Sequence, residues 1–104
     1  MPVITVPPDM PDDVSEAVSL IGHRTRAAII RHLTLEGAAC AQDLSPAAGC
    51  AHERLYVHVR LLEDAGVIQR TVPGDLHDGR RFWRVDPDRL EQLTCLWYDY
   101  LAGL

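Results

Sequence analysis

A chain of 104 residues with 47% hydrophobic and 24% charged residues has the size of one globular domain and is too apolar for a disordered tail. No apolar run approaches the ~20 residues that span a bilayer, and three cysteines are too few and of the wrong parity for a disulfide framework. The net charge of −5 argues against a domain that holds nucleic acid by excess positive charge.

The Pro-rich residues 1–11 carry no helical period, no basic residue and no signal-peptide core. They read as an arm with an extended piece at 3–6, and the chain as cytoplasmic. Asp12 or Asp13 is positioned to cap a first helix ending near Ile21, with Val14, Ala17, Val18 and Ile21 on one face and Gly22 as its stop. A second helix runs from about Thr25 to Glu36, with Ala28, Ile29, Leu33 and Leu35 apolar and Gly37 closing it. A short third helix covers about 41–48. After a tight turn at Gly49, a fourth covers about 51–65 and ends at Gly66; its Leu55, Val59 and Leu62 recur at helical spacing and face the core. A strand over 67–72, a polar turn over 73–79 and a returning strand over 80–85 follow, with Phe82 and Arg84 alternating against Arg81 and Trp83. Pro87 suits the first turn of a last helix over 86–101. That segment carries Leu90, Leu93, Leu96, Trp97, Tyr100 and Leu101, with Leu104 just beyond.

Helix, turn, helix and hairpin in this order predict a mainly α fold with a small β-hairpin. This is a winged helix-turn-helix of about five helices plus a two-stranded wing at 68–85, occupying residues 12–104. In such a fold the second helix of the pair lies in the DNA major groove. The charge is unevenly spread: residues 53–84 hold six arginines against five acids, and the rest holds four against ten. The expected reading surface is the least acidic part of the chain, and fields act locally at contact distance.

Three ordered segments, LIGHRTRAAIIRHL (20–33), HVRLLEDAGVI (58–68) and GRRFWRVDP (79–87), resemble the ArsR-like winged-helix family of bacterial regulators. The likeness runs from about Val14 to Leu101. It implies a homodimer, built mainly from the first and last helices, that represses its own operon by binding an inverted-repeat operator. Val14, Val18, Leu90, Leu93, Trp97, Tyr100 and Leu101 are then the expected dimer contacts, because apolar strips of this kind mark interfaces. The alternative is a strip that packs on its own chain.

On the fourth helix, His52, Glu53, Arg54, Tyr56, Val57 and Arg60 lie off the core face. Arg54 suits base reading, since arginine holds a guanine edge with two hydrogen bonds, and Arg60 suits a phosphate. The same residues also read as a plain solvated face. Where the family usually places hydroxyl residues, this chain has Ala51, Arg54 and Tyr56. The missing cap costs about 1 kcal/mol, partly recovered by Glu53 at the positive end of the helix. Glu53 repels phosphate unless it accepts from a cytosine amino group. Arg70, Arg80 and Arg81 on the wing suit a minor groove or the backbone, or else keep an edge strand soluble.

Metal sensing is not expected. Residues 40–45 read CAQDLS, with one cysteine where metal-sensing members carry a Cys-x-Cys pair, and residues 86–101 hold no histidine. Cys40 and Cys50 start the third and fourth helices, where thiols gain reactivity, so a thiol-based sensor is one alternative; small residues filling space is the other reading. His58 either touches phosphate or packs within the chain, and His23 is structural. No phosphate loop, nucleophile elbow or metal-hydrolase motif is present, so no enzyme and no cofactor are expected. The remaining alternative is a protein-interaction module with weakened DNA binding, using the last helix and the acidic arm.

Overall fold

The computed structural model describes residues 6–72 and 80–104. In chain order they form α1 (Asp12–Ile21), α2 (Arg24–Glu36), β1 (Ala39–Cys40), α3 (Ala41–Ala48), α4 (His52–Asp64), β2 (Ile68–Thr71), β3 (Phe82–Val85) and α5 (Pro87–Leu101). The turn expected at 73–79 and the extended piece expected at 3–6 (Val6 excepted) lie outside the described residues.

Local chemistry sets the helix boundaries. α1 starts one residue earlier than an Asp12 cap requires: Pro11 is the cap, and both aspartates lie inside the first turn. There they favour the positive end of the helix, and Asp13 Oδ1 accepts from the Val14 amide at 2.8 Å. α2 is capped by His23, whose Nδ1 accepts from the Thr25 amide at 3.2 Å. α3 follows Cys40, whose amide and thiol both donate to Asp43 Oδ2 at 3.3 Å. The thiol bond first, and the amide bond after it, hold the Asp43 carboxyl below the usual carboxylate range. Ala51 gives α4 no side-chain acceptor. For α5, Asp86 Oδ1 accepts from the amides of Asp88 and Arg89, both at 3.1 Å.

The sheet corrects the expected two-stranded wing. It has three antiparallel strands in the order β1-β3-β2. Ala39 lies opposite Trp83 and Cys40 opposite Phe82, while Ile68 to Thr71 face Val85 to Phe82. Two residues are too few for alternation to mark β1 in a sequence, and its partner lies more than forty positions away. The hairpin strands are also shorter than expected, leaving Val67, Val72, Arg80 and Arg81 outside them. Alternation fails in β3, where Phe82 and Trp83 are both buried. The strand lies in the middle of the sheet, and the Arg80 guanidinium lies 5.6 Å from the centre of the Phe82 ring.

The core gathers Ala17 and Leu20 of α1, Ile29, Ile30 and Leu33 of α2, Leu44 of α3, Leu55, Val59 and Leu62 of α4, Trp83 and Leu93. The α4 stripe is as expected, with His58 added to it. On α1 and α2 the buried stripes are turned slightly. Leu20 is buried where Ile21 was expected, and Leu35 is exposed while Ile30 is not. α1 packs along α5, α2 against α3 and the sheet, and α3 against α4.

Candidate nucleic-acid interface

α3 and α4 are joined by a turn that only a left-handed residue completes. Gly49 has φ +67°, and a β-carbon there would sit in a disfavoured conformation. The Cys50 amide donates to the Ser45 carbonyl at 3.2 Å, and the Ser45 hydroxyl donates to the Cys50 carbonyl. These contacts fix the angle at which α4 leaves α3.

The burial of Leu55, His58, Val59 and Leu62 turns the opposite face of α4 outward. His52, Glu53, Arg54, Tyr56, Val57 and Arg60 are all exposed. All six α4 residues expected off the core face are thus exposed. Arg70, Arg80 and Arg81 are exposed as well. Arg60, Arg70 and Arg81 share a cleft of about 390 Å³ with Tyr56, Glu63, Asp64 and Trp83. A smaller cleft on the other side of Tyr56 is lined by Gln42, His52, Arg80 and Arg81. The wing arginines and α4 thus form one continuous surface, with Tyr56 as the divide.

Two residues that hold α4 in place were not expected. Trp83 is 1% exposed; its Nε1 donates to Glu63 Oε1 at 3.1 Å, and its ring meets Tyr56 edge-on at 6.3 Å. A buried indole N–H needs such a partner, and this one ties β3 to α4. The signal was present in the sequence: Tyr56, Arg60 and Glu63 lie at i, i+4 and i+7, one stripe of α4. Arg89 was also unassigned. Its Nε donates to the Ala65 carbonyl at 2.9 Å, satisfying a helix-end acceptor of α4 from α5.

His58 takes the packing alternative. It is 9% exposed, accepts from Arg26 Nη1 at 3.0 Å and lies 4.8 Å from the His23 ring. Burial pushes its pKa below the ordinary 6.5, and the neighbouring His23, Arg26 and Arg54 push the same way. Cys40 is buried, Cys50 half-buried and Cys95 exposed, all free thiols. Among the described residues no group of three or more His, Cys, Asp or Glu side chains is arranged to hold a metal. Among them, too, no helix is long and apolar enough to cross a membrane.

The expected dimer residues divide. Val14 and Leu93 are 5% and 1% exposed and lie inside the chain, on two helices that pack together. That burial corrects their expected role as surface contacts. Val18, Leu90, Trp97 and Tyr100 are half-buried and Leu101 is exposed. Tyr98, which the apolar stripe did not include, is 70% exposed beside it.

No family model and no curated protein matches the chain by sequence. Solved structures do match its fold. One is a possible transcriptional regulator for arsenical resistance, 24% identical, covering 82% of this chain and 83% of its own, with a TM-score of 0.68. An ArsR family transcriptional regulator is 19% identical over 89% of this chain and 90% of its own, with a TM-score of 0.67. A third is the homodimeric winged helix-turn-helix DNA-binding domain of a possible ArsR-family regulator from Mycobacterium bovis. It is 15% identical over 89% of this chain and 85% of its own, with a TM-score of 0.63. At these identities the likeness establishes the fold: the chain is a winged helix-turn-helix of the kind found in ArsR-family regulators.

Proposed function

We propose that the chain is a sequence-specific DNA-binding transcriptional regulator, acting in the cytoplasm as a homodimeric repressor, with no catalytic role. The observation that carries this reading is the outward face of α4, continuous with the wing arginines. Arg54 reads a guanine edge, with Tyr56 and Val57 beside it, and His52 and Glu53 at the start of the helix. Arg60, Arg70, Arg80 and Arg81 hold phosphates. Two copies related by a two-fold axis insert their α4 helices into successive major grooves about 34 Å apart, and RNA polymerase is excluded from the occupied promoter. Residues 12–104 form the DNA-binding unit and residues 1–11 an arm.

The structural neighbours support a regulator of this class, one of them being a homodimeric DNA-binding domain. Further support for the dimer comes from α5, which leaves Tyr98 and Leu101 about 70% exposed.

The test is selection of bound sequences from a random double-stranded DNA pool at near-physiological salt. The expected result is an enriched inverted repeat with half-sites one helical turn apart. A folded dimer that enriches nothing overturns the reading. The exposed Tyr98 and Leu101 of α5 would then favour a protein-interaction module.

A further inference from the structure

Arg26 makes three contacts that no account of DNA reading uses. Its Nε donates to the Leu20 carbonyl at 2.6 Å and its Nη2 to the Ser19 carbonyl at 2.7 Å. These are acceptors in the last turn of α1, where helical partners run out. Its Nη1 donates to Nδ1 of His58, in the middle of α4. One guanidinium thus joins the end of α1, which packs along α5, to the helix that carries the reading face. From the other side the His23 ring, at the cap of α2, leans on His58.

The His58 contact works only with a neutral ring. Arginine has donors and no acceptor, so Nδ1 must offer its lone pair and the ring proton must sit on Nε2. A second proton on the ring turns Nδ1 into a donor and sets N–H against N–H. It also adds a positive charge beside His23, Arg26 and Arg54, the three groups whose charges act on the ring. Glu16 of α1 and Asp64 of α4 line the cleft beside Arg26. They give the displaced guanidinium somewhere to go.

We propose that Arg26, His58 and His23 form an acid-responsive latch between the end of α1 and α4, closed while His58 is neutral and opened by its protonation. The latch goes beyond the DNA-binding reading and does not depend on it. Burial and cationic neighbours favour the neutral ring in the fold, so the folded pKa lies below the unfolded value. The stability contributed is therefore fully present above about pH 6.5 and is lost as pH falls through the lowered folded value.

The test is an NMR titration of the full chain without DNA, following the His58 ring, the Arg26 Nε–H and the amides of Ser19 to Gly22. The expected result is a His58 midpoint below 6.5 with the Arg26 and α1-end signals shifting at the same midpoint. In His58→Gln, which keeps an acceptor but cannot titrate, those shifts should be lost. The proposal is overturned if the α1-end signals ignore the His58 midpoint, or if they shift equally in the variant. The wild-type titration decides the matter even if the variant does not fold. Because no DNA is present, failure here leaves the regulator reading untouched, and failure to enrich an operator leaves the latch untouched.

Discussion

At the scale of single residues, charge type is a poor guide to role until burial is known. The chain has ten basic side chains, all arginine. Arg26 and Arg89 are spent on carbonyls at the ends of α1 and α4, while Arg54, Arg60, Arg70 and Arg81 stay exposed. Substituting Arg54→Ala should remove about 1–3 kcal/mol of discrimination at one base position and leave the melting temperature unchanged. A binding titration against matched and mismatched duplexes checks the first, and thermal melting the second. Trp83→Phe makes the opposite prediction. It removes the indole N–H from Glu63 and leaves a space in the core, so stability should fall by about 1–3 kcal/mol in chemical denaturation. The His58–Arg26 contact was not legible in the sequence. Nothing in the residue types reveals that positions 32 apart meet, and a histidine on α4 suits phosphate equally well in the sequence.

At the scale of elements, most boundaries followed from glycines and apolar spacing. Gly22, Gly37 and Gly66 each end a helix within a residue of the expected place. The deviations have local causes. The stripes on α1 and α2 are turned, with Leu20 and Ile30 in the core, Ile21 at its edge and Leu35 exposed. β1 escaped notice because two residues carry no period, and its pairing with β3 is long-range. Alternation left open which side of the segment is buried; Trp83 is enclosed, with its Nε1 bonded to Glu63 of α4. Two predictions belong here. Gly49→Ala forces an L-residue into the left-handed turn between α3 and α4 and should cost about 1 kcal/mol in denaturation midpoint. Ala51→Ser supplies the acceptor that α4 lacks and should stabilise by about 1 kcal/mol, read in the same assay. An unchanged midpoint for Ala51→Ser would mean that the α4 amides already have partners.

At the scale of the whole molecule, the acidic net charge and the arginine-bearing surface are reconciled by segregation. Most of the exposed arginines lie on α4 (Arg54, Arg60) and the wing (Arg70, Arg80, Arg81, Arg84), with Arg24 and Arg31 exposed on α2, while acids concentrate in the first residues and along α5. The strip on α5 was legible as an apolar surplus, but not its division into Leu93, which the chain covers itself, and Leu101 and Tyr98, which it does not. Introducing charge there, as Leu101→Asp, should shift the sedimentation behaviour from dimer towards monomer without unfolding the chain. The central claim is that the α4 face reads bases while the wing arginines hold phosphates. The most direct measurement is the salt dependence of affinity for the selected duplex, compared between wild type, Arg54→Ala and Arg81→Ala. The expected result is a slope shallower by about 1 for Arg81→Ala, with weakening that is uniform across sequences, and a loss of sequence preference for Arg54→Ala. An unchanged slope in the first variant together with unchanged preference in the second would contradict the account.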